Sequence, residues 1–209
     1  AEKSSVPVCI HLDHGAGYEA AAIALKNGAT GIMVDFSTLS LEENIEKTAA
    51  AVKILSALNI GVEGEIGHVG FASDDTMGEF TDPAEAKAFV EQTGVCCLAV
   101  LVGNAHGHYK KTPNLDIDRI KAIRQACGVP LVLHGGTGIP DDQVKAAVAA
   151  AEEGDVVLGI LARLTPVKDI PEKGMKAMLY GTGAEKVTLV YDTPTGQGKY
   201  ATTFEGIIP

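Results

Sequence analysis

The 209-residue chain contains six histidines: His11, His14, His68, His106, His108 and His134. Each falls in the last residues of a short apolar, β-branched run or just beyond it. A surface or core role would scatter them, whereas grouping at strand ends aims several imidazoles at one place. Three come from different runs and are each followed at once by glycine: His14-Gly15, His106-Gly107 and His134-Gly135. Glycine there lets the backbone turn sharply and a ligand approach closely. Three protein ligands with a fourth position open is the donor count of a catalytic zinc site. His14, His106 and His134 are therefore read as the ligands of one divalent metal, zinc or another. Asp13 adds a carboxylate beside a ligand; strand alternation points it away from His14, so a twist at the strand end must bring both to one site.

The elements that must position these residues alternate regularly. Strands are expected at 6–10, 31–34, 60–65, 97–102, 129–133 and 156–160. Helices are expected at 18–27, closing on Asn27-Gly28, at 41–58, from Thr81-Asp82-Pro83 onward, at 115–126 and at 141–153. One helix between each pair of strands is the rhythm of a parallel βαβ sheet. The strands are apolar on both phases, as when helices cover one face and a packed interior the other. Periodicity alone fits a barrel or a doubly wound sheet. Polar groups at the C-terminal ends of strand after strand favour the barrel, because a doubly wound sheet gathers them at one switch point. Gly135-Gly136-Thr137-Gly138 sits between a strand and the helix near Asp141, where backbone N–H groups and a helix N-terminus suit a phosphate. From about Leu161 the pattern degrades: residues 186–191 read as a strand and 193–198 as a turn-rich loop, leaving 161–209 an unplaced tail.

The composition, 46% hydrophobic and 21% charged, is that of a chain able to bury one substantial core, and a single domain over 1–209 is expected. A net charge of -10 with scattered lysines argues against nucleic-acid or anionic-membrane partners. Cys9, Cys96, Cys97 and Cys127 lie in or beside apolar runs without C-x-x-C spacing, which predicts buried thiols in a reducing compartment. With neither a signal-like segment nor a membrane-length apolar run, a cytoplasmic protein is expected.

The contexts of the chemistry-bearing residues are specific. His11-Leu12-Asp13-His14-Gly15, Val62-Glu63-Gly64-Glu65-Ile66-Gly67, Gly103-Asn104-Ala105-His106-Gly107 with Tyr109-Lys110, and Leu133-His134-Gly135-Gly136-Thr137-Gly138 occur in that order. Asp35-Phe36-Ser37, Glu42-Glu43-Asn44-Ile45, Phe80-Thr81-Asp82-Pro83 and Leu115-Asp116 support them. In these motifs and their spacing, residues 6–148 resemble the class II, metal-dependent fructose- and tagatose-bisphosphate aldolases.

The resemblance implies a TIM-type (β/α)8 barrel, incomplete at its N-terminus, where about two βα units are wanting, and divergent at its C-terminus. There the run Asp155 to Ile160 lacks the asparagine that binds the ketose phosphate in the family. The resemblance implies that His14, His106 and His134 hold the metal, and that Asp13 exchanges a proton with the C4 hydroxyl. By the same likeness Glu65 is a strand-end carboxylate near the metal, and Gly107, Gly135, Gly136 and Thr137 hold the dihydroxyacetone-phosphate phosphate and, in many members, a monovalent cation. A loop over 68–80 corresponds to one that carries a further acid in the family; Glu79 and Asp75 are both open as that acid.

The implied reaction is reversible cleavage of a ketose 1,6-bisphosphate to dihydroxyacetone phosphate and glyceraldehyde 3-phosphate. The metal would act as a Lewis acid where aldol cleavage develops negative charge. Fructose versus tagatose stays open, with Lys111-Thr112-Pro113 and the short 68–80 loop leaning to the tagatose-like branch. A homo-oligomer is implied as well. Two competing readings are an incomplete, catalytically impaired barrel that binds metal or phosphate as an interaction module, and a metal-dependent phosphosugar epimerase.

Overall fold

The computed structural model describes residues 9–72, 78–107, 109–136 and 138–151, together with the strand backbone at 159–161, 186–192 and 199–205. Eight strands and five helices follow in the order β1 His11–Gly15, α1 Tyr18–Lys26, β2 Gly31–Val34, α2 Leu41–Ser56, β3 Gly61–Ile66, α3 Pro83–Thr93 and β4 Cys97–Val100. Next come α4 Ile117–Cys127, β5 Leu131–His134, α5 Asp141–Ala151, β6 Gly159–Leu161, β7 Lys186–Asp192 and β8 Lys199–Glu205.

β1 to β6 form one sheet in chain order, every neighbouring pair parallel. Right-handed crossovers between successive parallel strands put every connecting helix on the same face. Accordingly α2 packs on α3, α3 on α4, and α4 on α5 in a single layer. The strand order never reverses, so there is no switch point and the doubly wound alternative is excluded. The result is an arc of barrel wall with helices outside. β7 and β8 pair antiparallel in a separate two-stranded sheet.

Strand alternation sorts the side chains of this wall. Ile32, Val34, Val62, Ile66, Leu98, Val100, Leu131 and Leu133 join the main core with the helices. The opposite phase carries Met33, Ala99 and Val132, which form a small cluster of their own with Cys97. It also carries Glu63, Glu65 and His134, all buried. The inner phase is therefore where the chemistry-bearing residues point, and the outer phase holds the fold together.

Local signals set most helix boundaries. Ser40 and Glu43 form a reciprocal capping box at α2. Asp82 accepts hydrogen bonds from the Ala84 and Glu85 N–H groups with Pro83 in the first turn of α3, and Gly94 closes that helix at φ 71°. Asp116 caps α4 through the Arg119 N–H, and Gly128 ends it.

Three expectations change. Of the first strand expected at 6–10, residues 6–8 lie outside those described, Cys9 and Ile10 carry no strand, and β1 is described from His11. His11 thus stands at the start of a strand and not at its end. The thiols are not buried: Cys9 and Cys96 are exposed, Cys97 and Cys127 partly so, and all four are free. They flank strand starts and a helix end, where Cys97 and Cys127 pack only at the margin of the core and Cys9 and Cys96 stay outside it. Residues 199–205, unassigned from sequence, form a strand.

Phe89 of α3 is fully buried against the backbone of β3, where a Cβ on Gly64 would approach its ring to 2.8 Å. Phe89→Ala opens a cavity between α3 and the strand that carries Glu63 and Glu65, and is expected to cost about 3–5 kcal/mol. Urea unfolding followed by circular dichroism measures this; a loss below about 1 kcal/mol would show that the helix layer is not rigidly packed there.

Candidate metal centre

Convergence begins with a backbone irregularity. Leu12 pairs with Ile32 but Gly15 pairs with Val34, so β1 carries one residue more than β2 over this stretch. The bulge is accompanied by a left-handed His14, at φ 48°, a conformation that few residues other than glycine adopt. This is the twist that the adjacency of Asp13 and His14 required: Asp13 Oδ1 comes to 3.7 Å from His14 Nε2. Gly15 does not need a positive φ; it is needed because a Cβ would meet the Met33 carbonyl oxygen at 2.5 Å. Gly107 and Gly135 do turn the chain, at φ 84° and 68°.

The three sequence-selected imidazoles meet. Ring centroids are 4.7 Å apart for His14 and His106, 4.4 Å for His14 and His134, and 5.8 Å for His106 and His134. One nitrogen from each ring lies within 4.8 Å of the others. Two ligands at about 2.0–2.1 Å from one ion stand at most about 4 Å apart, so the cluster sits close to coordination spacing. A second donor set, His14, Asp35 and Glu65, meets the same distance. The three histidines and Asp13 line a cleft of about 360 Å³, with Asp35 and His68 at its wall.

The unused nitrogens explain the ring orientations. His14 Nδ1 bonds to Asp35 Oδ2 at 2.7 Å, which leaves Nε2 buried and without a hydrogen-bond partner. His134 Nε2 bonds to Glu63 Oε1 at 2.8 Å, which leaves Nδ1 facing Asp13 Oδ1 at 3.7 Å. His14 Nε2 and His134 Nδ1 therefore face the same carboxylate oxygen. Glu65, fully buried, receives the Val69 N–H on Oε1 at 2.9 Å, but its Oε2 has no hydrogen bond. An orphaned imidazole nitrogen and an orphaned carboxylate oxygen in one buried site suit a divalent cation, and the donor set fits the group expected from sequence.

The electrostatics point the same way. Burial pushes the Glu65 carboxyl up, and the nearby Asp35 charge adds to it, to about 7. Burial opposes ionisation of Asp35 too, but its bonds to His14 and Ser37 outweigh that and hold it well below the usual carboxylate range. At His14 burial disfavours the imidazolium, yet the Asp35 bond and the charges of Glu65 and Asp13 dominate and raise its proton affinity. This is the field of a site short of positive charge.

Comparison with known proteins agrees. Residues 1–152 match the family model of class-II fructose-bisphosphate aldolase. The chain belongs to that family. A probable fructose-bisphosphate aldolase of Bacillus subtilis is 43% identical over 150 residues, 70% of this chain and 53% of the relative. The fructose-bisphosphate aldolase of Geobacillus stearothermophilus is likewise 43% identical over 148 residues, 69% and 52% of the two chains. The crystal structure of the Escherichia coli YdjI aldolase aligns with a TM-score of 0.65 at 38% identity, over 76% of this chain and 54% of that one. The chain thus spans about half the length of the curated relatives it matches. Residues 161–209 match a different model, the UvrA DNA-binding domain. That likeness falls on the tail the sequence left unplaced, and it bears on the expectation, drawn from charge alone, of no nucleic-acid partner.

Within this aldolase-family arc, the remaining expected residues fall as follows. Gly107 and Gly135 flank the ligands, and Gly136 is buried beside them. Thr137, His108 and Asp75 lie outside the described residues, and Glu79 is exposed. The first turn of α5 already holds Asp141 and Asp142, so that helix end is less favourable to an anion than the glycine pattern suggests. His68 bonds to Ser37 Oγ at 3.0 Å on the cleft rim.

Four supporting residues carried no assigned role in the sequence reading: Asp35, Glu63, Asn104 and Tyr109. Buried Asn104 donates to the Val100 and His134 carbonyls and accepts from the Val102 N–H. Tyr109 Oη donates to the Gly135 carbonyl and accepts from the Ala105 N–H. Together they staple the loop bearing His106 to the end of β5 bearing His134. The signal was present: each stood inside a quoted motif, as a polar residue among apolar ones.

His106→Ala removes one of three ligands and is expected to abolish stoichiometric divalent-metal binding, read by elemental analysis of purified protein; unchanged metal content would refute the site. Protons and metal compete for His14 Nε2, and a proton affinity raised above the ordinary 6.5 makes that competition begin early. Metal affinity is therefore expected to be full at about pH 8 and to weaken steadily toward about pH 6. Calorimetric titrations across that range check it; a metal affinity independent of pH would remove histidine ligation from the site.

Proposed function

We propose that this chain carries the metal-dependent aldol chemistry of its family: reversible cleavage of a ketose 1,6-bisphosphate, fructose or tagatose, to dihydroxyacetone phosphate and glyceraldehyde 3-phosphate. The observation that carries the reading is Asp13 Oδ1 standing 3.7 Å from both His14 Nε2 and His134 Nδ1. A proton-transfer carboxylate, half exposed to the cleft, thus lies directly beside the metal-binding imidazoles. A structural carboxylate would be tied into the wall, as Asp35 and Glu63 are.

His14, His106 and His134 would hold the ion, zinc or another divalent metal; when bound it supplies Lewis-acid polarisation of the ketone. Neutral imidazoles leave its charge undiminished. Asp13 accepts the C4 hydroxyl proton as the C3–C4 bond breaks, and returns it in the condensation direction. Asp35 and Glu63 fix the ring orientations of His14 and His134, so the open side of the cluster stays toward the cleft. Glu65 adds a buried carboxylate within 3.9 Å of His14 Nδ1, available to the ion in the second donor set. Backbone N–H groups of the loops at Gly107, Gly135, Gly136 and Thr137 would receive the phosphate, with a monovalent cation as a further occupant.

The aldolase-related unit is residues 1–152, which we assign to an incomplete TIM-type (β/α)8 barrel, with residues 161–209, matched by a different family model, as a tail outside it. Among the described residues no helix is long and apolar enough to cross a membrane. A cytoplasmic homo-oligomer is the proposed context.

A coupled assay of ketose-bisphosphate cleavage with and without EDTA tests the reading. Chelator-sensitive turnover is expected, and Asp13→Asn should lower kcat by about 10²–10⁴-fold while metal content stays intact. Metal bound at one equivalent with no turnover would instead support the interaction-module reading. Equal turnover in Asp13→Asn would remove Asp13 from the chemistry.

A further inference from the structure

Among the described residues, Glu63 is the one buried carboxylate beside the cluster that neither lines the cleft nor reaches an alternative donor set. It is only 3% exposed and lies two residues before Glu65 on β3, on the same inner phase. Its two oxygens are used separately: Oε1 meets His134 Nε2 at 2.8 Å and Oε2 meets His11 Nε2 at 3.1 Å. One side chain thus spans the interior from β1 to β5, fastening alternate strands of the arc. Its surroundings are apolar and small, with Met33, Ala99 and Val132 forming the nearby inner cluster.

The consequence lies at the far nitrogen of His134. A neutral imidazole carries its proton on one nitrogen or the other, and a carboxylate at one of them decides which. With Glu63 at Nε2, the proton is held there, and the Nδ1 lone pair is left facing the cleft, where Asp13 Oδ1 and His14 Nε2 converge. The other tautomer would put an N–H where a ligand lone pair is needed and would leave Glu63 facing an acceptor. His11 completes the arrangement by holding the second oxygen, so the carboxylate plane cannot rotate away. This accounts for a histidine at the start of β1, joined to the strand-end group through Glu63 and not by a place at its own strand end.

We propose that Glu63 is a positioning residue that fixes His134 as its Nε2–H tautomer and so sets the affinity of the metal centre, with His11 anchoring Glu63 from the opposite side. The proposal rests on His134 being a ligand, but the tautomer part of it stands without any metal. Glu63→Gln keeps the volume and presents an amide that rotates to offer either atom to His134, which releases the tautomer preference. His11→Gln perturbs the same carboxylate while leaving every ligand in place.

The full chain is to be examined in two ways. Nitrogen-15 imidazole shifts in metal-free protein should show His134 protonated on Nε2, and should show a mixture of tautomers in Glu63→Gln. Zinc affinity from competition with a chromophoric chelator should fall about 10–100-fold in Glu63→Gln and several-fold in His11→Gln. Circular dichroism identifies any variant that does not fold, in which case His11→Gln carries the test. A His134 tautomer and a zinc affinity that are both unchanged in folded Glu63→Gln would overturn the proposal, reducing Glu63 to a buried counter-charge. If wild-type protein binds no zinc, the metal assignment fails by that result alone, and the imidazole shifts still decide whether Glu63 sets the tautomer.

Discussion

Burying a carboxylate without compensation is among the most costly things a fold can do, and this one buries two on a single strand. Glu63 and Glu65 share the inner phase of β3, with Asp35 close by on the cleft wall. Histidines, the Ser37 hydroxyl and the backbone N–H groups of Ser37 and Val69 answer these three groups. Imidazoles can meet such a demand by donating one N–H each, which leaves their second nitrogens facing inward. A set of lone pairs converging in a field short of positive charge is a cation site by construction. The arrangement of carboxylates outside and imidazoles inside thus creates both the affinity for a divalent ion and the orientation of its ligands.

The fold supplies this pattern cheaply. A singly wound parallel arc sends all its helices to one face, so the outer phase of each strand can be wholly apolar and carry the packing. The inner phase is then released from that duty and can be spent on Glu63, Glu65 and His134 near the strand ends. Phe89 of α3 with Leu98, Leu131 and Leu133 stabilises the wall, while Glu63, Glu65 and His134 occupy the opposite phase of the strands. The cost reappears locally as backbone strain: His14 adopts a left-handed conformation that burial and the Asp35 bond must offset.

Much of this was legible in the chain. The βαβ rhythm placed β2 through β5 within a few residues, because their apolar runs are short and bounded by turn residues. The convergence of His14, His106 and His134 was legible because three histidines at strand ends, each before a glycine, have few explanations. What was illegible depended on register. Residues 11–15 are polar enough to read as following a strand, yet they pair with β2 as β1. The bulge at His14 leaves no mark in composition, since it arises from how β1 must fit the turn into α1. Glu63 could not be told from Glu65 by type or phase; only the 2.8 Å contact with His134 on β5 separates the carboxylate bonded to an imidazole from the one whose Oε2 has no hydrogen bond.

The metal centre and the substrate site make different demands on the barrel. All donors lie between Asp13 and His134, inside the span that matches the aldolase family, and they come from five contiguous strands and their loops. Neighbouring strands stand about 4.7–4.9 Å apart, so a contiguous arc can bring imidazoles to coordination spacing whether or not the wall closes elsewhere. A bisphosphate must be gripped at two ends several ångströms from the reacting carbons, and grip depends on loops spread around a rim. Here the loop after β5 offers glycine N–H groups, while Asp141 and Asp142 at the start of α5 oppose an anion at that point. Metal affinity is thus set by the interior of the arc and substrate affinity by its rim, so the first can be complete and specific where the second has diverged.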